Sequence, residues 1–148
     1  MVKLFRRAIS KISQPIPKVI DGRKVGFQSD YENGWFRRDR SELASGFPIT
    51  SADTVIDVGC GEGGISAFAG DMGAEVISAD IDPAMVEITK NKMAKTKAKS
   101  YQVIQTDCNP LPVPDQSCSR IIALEVLEHV DDPAQFMREL VRVAKPNA

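Results

Sequence analysis

From Thr54 onward, short β-branched and apolar runs alternate with helix-like stretches, and this alternation constrains the fold more than any other feature. Strands that alternate with helices at this spacing form βαβ units around a parallel sheet. In such sheets ligands bind at the carboxyl ends of the strands. The pattern therefore predicts an α/β fold with a parallel sheet, whose strands we place at residues 54–58, 75–80, 101–106 and 120–124.

Three helices are expected between and after these strands. The first follows a glycine-rich turn and covers about residues 65–71. The second begins at Pro83, and the five lysines of residues 90–99 are expected to form its solvated end. The third follows Asp131-Asp132-Pro133. The side chains expected on apolar helix faces are Met85, Val86 and Ile88 in the second helix and Phe136, Leu140, Val141 and Ala144 in the third.

Composition excludes several classes of protein. The 148 residues contain 43% hydrophobic side chains and carry a net charge of −1, which is typical of a globular domain and gives no general attraction to nucleic acid. The three cysteines are widely spaced and include no Cys-x-x-Cys pair, so we expect neither a disulfide framework nor a zinc ribbon. With one histidine in the chain, we expect no metal site. We therefore expect a soluble, cytoplasmic protein.

The first 49 residues differ from the rest in charge. Residues 1–40 contain ten basic and four acidic side chains, whereas residues 41–148 contain nine basic and sixteen acidic ones. Residues 1–12 have an amphipathic helical pattern that could lie on an anionic membrane surface or pack on its own domain. We therefore divide the chain into a basic, helical pre-domain segment, residues 1–49, and an α/β domain, residues 50–148.

The turn after the first strand suggests a nucleotide-binding site, and a carboxylate near this turn limits the class of ligand that the site can bind. Gly59, Gly61 and Gly64 satisfy the G-x-G-x-x-G fingerprint, and Asp80 follows at the spacing of a ribose-binding acid. One alternative is therefore an NAD-dependent dehydrogenase. However, Asp57 would place a carboxylate near the pyrophosphate of a dinucleotide, whereas it would attract a ligand with ammonium and sulfonium groups. S-adenosylmethionine carries both cations.

Four segments in order resemble the motifs of class I S-adenosylmethionine-dependent methyltransferases, in particular the type 11 branch that includes quinone-biosynthesis enzymes. This resemblance covers roughly residues 50–147 and implies a Rossmann-like sheet with helices on both faces and strand order 3-2-1-4 in the part present. The matching segments are Val55-Ile-Asp-Val-Gly-Cys-Gly-Glu-Gly63, Val76-Ile-Ser-Ala-Asp-Ile-Asp-Pro-Ala-Met85, Thr106-Asp-Cys-Asn-Pro-Leu-Pro-Val-Pro-Asp115, and Leu124-Glu-Val-Leu-Glu-His-Val-Asp-Asp-Pro133 with Arg142-Val-Ala-Lys-Pro146.

The resemblance implies a methionine-binding end of the site. Three glycines would let the backbone approach the methionine portion of the cofactor, and Cys60 would lie among them. Asp57 would steady this loop and the ammonium group, and Glu125 would lie at the backbone contacts to the methionine end. A competing interpretation of Glu125 is a salt-bridge partner. The three glycines are Gly59, Gly61 and Gly63.

The resemblance also implies an adenosine-binding end. Asp80 would accept hydrogen bonds from both ribose hydroxyls, and Ile81 would lie against one face of the adenine ring. Asp107 would accept from the exocyclic amine of adenine, with the backbone amide of Cys108 nearby. Simple turn and helix-cap chemistry is the alternative interpretation of Asp80 and Asp107.

His129 follows the fourth strand, at the rim where the methyl acceptor is expected. A histidine there could remove a proton from a hydroxyl acceptor, but a role in organising the loop is the alternative. The resemblance implies methyl transfer to a small-molecule or lipid-like acceptor without a metal. A non-catalytic cofactor-binding module is a further alternative.

The resemblance implies a seven-stranded sheet, whereas the sequence ends at Ala148 after four predicted strands. We therefore expect an amino-terminal fragment of a longer enzyme, with strands five to seven missing and little turnover. Ile121, Ile122 and Leu124 would then belong to an open edge of the sheet. The alternative is a complete short protein that covers this edge by dimerising or with residues 1–49.

Overall fold

The computed structural model of the protein describes residues 18–20, 23–25, 40–44 and 46–148. Its strands are β1 (Lys18–Ile20), β2 (Arg23–Val25), β3 (Glu42–Ala44), β4 (Phe47–Pro48), β5 (Thr54–Val58), β6 (Glu75–Asp80), β7 (Ser100–Gln105) and β8 (Arg120–Ala123). The helices are α1 (Gly64–Asp71), α2 (Pro83–Met93) and α3 (Pro133–Val143), with a 3₁₀ helix at Leu127–His129. The last four strands form a parallel sheet in the order β7-β6-β5-β8. This is the predicted order 3-2-1-4.

β5 lies inside the sheet because both of its faces are apolar. Val55, Ile56 and Val58 are each 0% exposed, as expected for a parallel strand covered on both sides. In register, Val58 lies opposite Ala79 of β6 and Ala123 of β8. The carboxyl ends of three neighbouring strands therefore meet at one edge, and the glycine-rich loop begins there.

Helices cover both faces of the sheet, which confirms the predicted architecture. On one face, α1 and α2 pack on a cluster that includes Val55, Phe68, Val76 and Met93. On the other face, α3 and the loop that precedes β8 pack on a cluster that includes Ile56, Val58, Leu111, Phe136 and Val143. In the part of the chain that the structure describes, no helix is long and apolar enough to cross a membrane.

Two details of the predicted helices are wrong. α2 ends at Met93, so the lysines from position 95 onward follow the helix and do not belong to it. Ile88 is 41% exposed and Val141 is 69% exposed, although both were placed on apolar faces. The helical period of 3.6 residues instead turns other side chains to the core. The buried positions are Val86, Thr89 and Met93 in α2 and Phe136, Glu139 and Val143 in α3.

The described parts of residues 1–49 are strands and turns. β1 pairs with β2 and β3 pairs with β4, both antiparallel. Leu43 and Ile49 are buried in the cluster beneath α1, and Phe47 packs against it. The β3–β4 hairpin therefore shares the core of residues 50–148. The predicted amphipathic helix over residues 1–12 lies outside the described residues.

β8 has β5 as its one strand neighbour within the described residues. Ile122 is nevertheless only 5% exposed because helices cover the face of the sheet, while Leu124 lies beyond the strand and is 45% exposed. Just before β8, Cys118 forms a parallel bridge with Ala144. Two hydrogen bonds hold this bridge, from Cys118 N to Val143 O (2.9 Å) and from Lys145 N to Cys118 O (2.8 Å).

Candidate functional site

The loop after β5 takes left-handed backbone conformations at its three predicted glycines, and two of the three also have no space for a side chain. Gly59 (φ 71°) and Gly63 (φ 72°) leave no room for a side chain. A Cβ on Gly59 would clash with Val126 Cγ2, and one on Gly63 would lie 2.6 Å from Thr89 Oγ1. Gly61 (φ 50°) has open space around it, so its requirement is conformational alone.

Hydrogen bonds from two neighbouring elements hold this loop. The backbone amides of Gly59 and Cys60 donate to Ala79 O at 2.8 and 3.0 Å. Thr89 of α2, which is 0% exposed, donates its hydroxyl to Gly61 O at 2.8 Å. Sequence reasoning missed Thr89. The available signal was a threonine on the inner face of α2, three residues after Val86 and four before Met93.

The Asp80 carboxylate lies at the end of β6 and is bound on both oxygens. Oδ2 accepts from Gly61 N at 2.8 Å, and Oδ1 accepts from Asp82 N at 2.9 Å. The turn chemistry that was the alternative interpretation is therefore present. Each carboxylate oxygen has a second lone pair, so these bonds leave acceptor capacity for a ligand. Asp80 also lines a cavity at this edge of the sheet.

Asp57 is buried beneath the glycine loop, where two serines that sequence reasoning missed surround it. Its Oδ2 accepts from the amide of Ser66 at 3.1 Å and from the Ser66 hydroxyl at 2.6 Å. Ser78 donates to Ser66 Oγ at 2.7 Å, which extends the network to β6. Burial raises the pKa of Asp57 to about 6, despite the two hydrogen bonds from Ser66 that act in the opposite direction.

One cavity, which we call the first cavity, lies over the ends of β5, β6 and β7 and has a volume of about 280 Å³. It brings together six of the predicted site residues, which come from four separate segments of the chain. Gln135 and Phe136 of α3, which were not predicted, close another side. The predicted residues that line it are Gly59, Asp80, Ile81, Asp107, Cys108 and His129.

Acidic side chains predominate among the charged residues that line this first cavity. Four aspartates line it, and among the residues that the structure describes no lysine or arginine does. Ile81 is 67% exposed, which leaves an apolar side chain open beside them. An arrangement of this kind favours a ligand with hydroxyl or amino donors and a flat apolar ring, and it disfavours a pyrophosphate. The four aspartates are Asp80, Asp107, Asp131 and Asp132.

The second cavity lies on the other side of Gly59 and has a volume of about 700 Å³. Three predicted site residues besides Gly59 line it, namely Asp57, Cys60 and Glu125. Its apolar wall comes from three separate parts of the chain, the β3–β4 hairpin, α1 and the segment after β8. These apolar side chains are Leu43, Ile65 and Leu124. Because Gly59 borders both cavities, one elongated ligand could occupy the two together.

Two residues beside the cavities have left-handed backbone conformations although they are not glycine. Cys108 has φ 64° and Glu125 has φ 55°. Such conformations are uncommon for residues with a side chain and often occur at functional sites. Asp107 precedes Cys108 and uses Oδ1 in an Asx turn, accepting from Asn109 N at 3.0 Å. Its side chain therefore organises the loop as well as lining the first cavity.

The thiols at the site are poor nucleophiles. Burial raises the pKa of Cys60 and the pKa of Cys108 to about 11 each. Because the thiolate is the reactive form, both side chains act as small neutral groups at neutral pH.

The structure places His129 in the 3₁₀ helix after β8, with its amide donating to Val126 O at 2.9 Å. Its side chain lines the first cavity together with Asp80 and Asp107. It does not line the second cavity, which the apolar residues border. His129 therefore lies with the predicted adenosine contacts. Among residues 40–44 and 46–148, no group of three or more His, Cys, Asp or Glu side chains could hold a metal ion.

Comparison with known proteins agrees with this geometry. A probable S-adenosylmethionine-dependent methyltransferase of Mycobacterium tuberculosis is 29% identical over 133 residues, which are 90% of this chain and 47% of that protein. A demethylmenaquinone methyltransferase of Tropheryma whipplei is 31% identical over 98 residues, 66% of this chain and 40% of that protein. The chain therefore spans less than half the length of these two relatives.

Solved structures and a family profile lead to the same group of proteins. The crystal structure of a SAM-dependent methyltransferase from Aquifex aeolicus matches 95% of this chain and 67% of that one, with a TM-score of 0.64 and 27% identity. Residues 56–148 match the family described as "Methyltransferase domain" (Methyltransf_11). The chain therefore belongs to this family of S-adenosylmethionine-dependent, Rossmann-like methyltransferases.

Proposed function

We propose that this chain binds S-adenosylmethionine across its two cavities and that the protein transfers the methyl group to a small apolar acceptor. The observation that carries the proposal is the charge at the glycine loop. Asp57 and Asp80 adjoin that loop, and aspartates line the first cavity without a described basic residue. In the described part of the chain, the second cavity is lined by three carboxylates, Asp57, Glu62 and Glu125, and by one basic residue, Lys92. A cationic ligand with donor groups suits such a site, whereas a dinucleotide pyrophosphate requires cations or free amides.

In the proposed arrangement, adenosine occupies the first cavity. Asp80 accepts from the two ribose hydroxyls while it continues to hold the Gly61 amide. Ile81 presents its exposed side chain to the adenine ring. Asp107 recognises the amino edge of the ring, which carries the exocyclic amine, in a loop that already faces the cavity. The Cys108 amide lies beside it and also donates to Thr106 Oγ1 at 3.0 Å.

The methionine portion then lies towards the second cavity. Asp57 attracts the ammonium group from beneath the glycine loop, and Gly59, Gly61 and Gly63 bring backbone atoms close to it. Glu125 borders the same cavity with its left-handed backbone. Burial of the Asp57 carboxylate strengthens its attraction for a cation, because the local dielectric constant is lower than in water.

When bound, S-adenosylmethionine supplies a methyl group on a sulfonium, a carbon that is already activated for displacement. The residues of this chain therefore act mainly by positioning, which can supply much of the acceleration of such a step. Leu43, Ile65 and Leu124 form the apolar wall along which an acceptor would approach. His129 lies with the adenosine contacts, so we assign it a role in organising the loop and not that of a base.

The acceptor class follows from this wall and from the relatives. The Tropheryma relative is named for demethylmenaquinone, a lipid-soluble quinone. A cavity with three apolar side chains suits a ligand of that kind better than a charged peptide or an RNA. We therefore propose a quinone-like, phenolic or other lipid-like acceptor.

A transfer assay with S-adenosylmethionine labelled in its methyl group tests this proposal. The protein is incubated with apolar quinols and phenols, with peptides and with RNA, and label is counted in each extracted product. We expect label in an apolar product and a large loss of it in Asp80→Ala. Label in peptide or RNA alone would contradict the proposed acceptor class.

The raised pKa of Asp57 predicts a pH dependence of cofactor binding. A cationic ligand binds the ionised carboxylate, and with a pKa of about 6 the ionised fraction rises about tenfold between about pH 5 and pH 7. The affinity for S-adenosylhomocysteine, measured by calorimetry, should therefore rise about tenfold over this range and level off above it. Asp57→Asn is the matched control and should abolish the rise. An equal rise in this variant would exclude Asp57 as its source.

A further inference from the structure

α3 touches the loop between β7 and β8 at both of its ends. Gln135 and Phe136, near its start, line the first cavity together with Asp107 and Cys108 of that loop. Glu139 and Arg142, one and two turns later, bind the continuation of the same loop. One rigid helix therefore contacts the loop both at the cavity and away from it.

Arg142 forms the densest set of hydrogen bonds in this region. Its Nη1 donates to Val113 O at 2.8 Å and to Asp115 Oδ1 at 2.6 Å. Its Nη2 donates to Leu111 O at 2.8 Å and to Glu139 Oε2 at 2.8 Å. Nε also contacts Glu139, with its two oxygens at 3.1 and 3.2 Å. One guanidinium thus joins three loop residues to α3, which a lysine with a single nitrogen cannot reproduce.

Glu139 completes this connection from a buried position. It is 6% exposed, and its Oε2 accepts from the amide of Leu111 at 2.9 Å as well as from Arg142. The hydrogen bond from Arg142 holds the pKa of Glu139 below its usual range, so the carboxylate is ionised at neutral pH. Both partners are therefore charged and bound to the loop. Removing Arg142 would leave the buried Glu139 carboxylate without its counter-charge, whereas Arg142 would keep Asp115 if Glu139 were removed.

The part of the loop at the cavity has mainly local support. Asp107 accepts from Asn109 N at 3.0 Å, and the amide of Cys108 donates to Thr106 Oγ1 at 3.0 Å. Cys108 has its left-handed backbone at this point. Its side chain packs in the cluster that includes Leu111 and Phe136. The hydrogen bonds that join this loop to α3 begin at Leu111, three residues after Cys108.

We propose that Arg142 and Glu139 are positioning residues for adenine recognition, because they fix the 107–116 loop to the helix that forms the opposite side of the adenosine cavity. This inference rests on the proposed function. In this proposal Arg142 and Glu139, which lie outside the cavity, place Asp107 and the Cys108 amide against the amino edge of the ring. Their loss should therefore affect recognition of that edge more than it affects the rest of the cofactor.

The experiment compares two ligands that differ only at this edge. S-inosylhomocysteine has a carbonyl oxygen in place of the exocyclic amine of S-adenosylhomocysteine, and its neighbouring ring nitrogen N1 carries a proton and no longer accepts a hydrogen bond. We expect the wild-type protein to bind the adenine form at least about tenfold more tightly, since one hydrogen bond to a charged acceptor is lost. In Arg142→Gln we expect the preference for the adenine form over the inosine form to fall below about threefold. Arg142→Lys should give an intermediate value, because lysine retains the positive charge but not the planar set of guanidinium donors. The change is mainly a loss of affinity for the adenine form.

Controls separate positioning from general stability. Lys145→Gln removes a nearby exposed charge and should leave the preference unchanged. Arg142→Lys provides the comparison if Arg142→Gln does not fold, as judged by circular dichroism and denaturation. A folded Arg142 variant that loses affinity equally for both ligands, with the preference unchanged, would overturn the inference while leaving the proposed function intact. Failure of the wild-type protein to bind S-adenosylhomocysteine would overturn the proposed function and the inference with it.

Discussion

Replacing Asp80 with alanine is expected to weaken binding of S-adenosylhomocysteine about a hundredfold. The variant loses a carboxylate that can accept from two ribose hydroxyls, and hydrogen bonds to charged groups contribute about 1.5–3 kcal/mol each without adding fully. A loss of about 2–3 kcal/mol corresponds to that factor. The structure adds a second cause, because Asp80 also holds the amide of Gly61 at 2.8 Å. Calorimetry or fluorescence titration measures the effect.

Two further variants serve as controls for this result. Asp82→Ala removes the neighbouring carboxylate, which caps α2 by accepting from Ala84 N at 2.8 Å. It should cost about 1 kcal/mol of stability and leave cofactor affinity nearly unchanged. Asp80→Asn keeps the size of the side chain and should show an intermediate affinity. A folded Asp80→Ala protein with wild-type affinity would remove Asp80 from the site.

Replacing Gly63 with alanine is expected to lower the free energy of unfolding by about 2–5 kcal/mol. The left-handed backbone at φ 72° costs about 1–2 kcal/mol for a residue with a Cβ. Overpacking against Thr89, whose Oγ1 would lie 2.6 Å away, adds about 1–3 kcal/mol. Thr89 cannot rotate away at low cost, because it is β-branched, buried and bound to Gly61 O. Urea denaturation monitored by circular dichroism provides the measurement.

The adjacent glycine is the matched control. Gly64 has open space around its Cβ position and begins α1, so Gly64→Ala should leave stability unchanged or raise it slightly. The double variant Gly63→Ala with Thr89→Ala relieves the clash but loses the hydrogen bond to Gly61 O. It should therefore be less destabilised than the sum of the two single changes. Equal stability of the Gly63→Ala and Gly64→Ala proteins would show that the loop is misassigned.

The sheet could be predicted from sequence because its strands are governed by local patterns. The β-branched run around Val55 and Ile56 suits a strand that is buried on both faces, as in the middle of a parallel sheet. The four-motif resemblance then fixed the strand order, and the cavities collect nine of the eleven predicted site residues. Gly61 and Gly63 remain in the loop without lining either cavity.

What could not be predicted depends on contacts between distant segments. Thr89 holds Gly61 from 28 positions away, and Arg142 holds Leu111 from 31 positions away. No periodicity in either segment identifies such a partner. The steric reason for glycine at position 63 could not be predicted either, because a Cβ added there would clash with Thr89, a side chain of α2. Val141 shows the opposite case, in which an apolar residue in a helical pattern faces solvent.

Calorimetric titration of the wild-type protein with S-adenosylhomocysteine and, separately, with NAD distinguishes a site for a cationic cofactor from a site for a dinucleotide. We propose that the two cavities around Gly59 form a site of the first kind. S-adenosylhomocysteine carries the adenosine and ammonium groups that the aspartates are proposed to bind, whereas NAD carries a pyrophosphate that they would repel. The account predicts saturable binding of S-adenosylhomocysteine with one site per chain, abolished or strongly weakened in Asp80→Ala, and no measurable binding of NAD. Tight binding of NAD without binding of S-adenosylhomocysteine would contradict it.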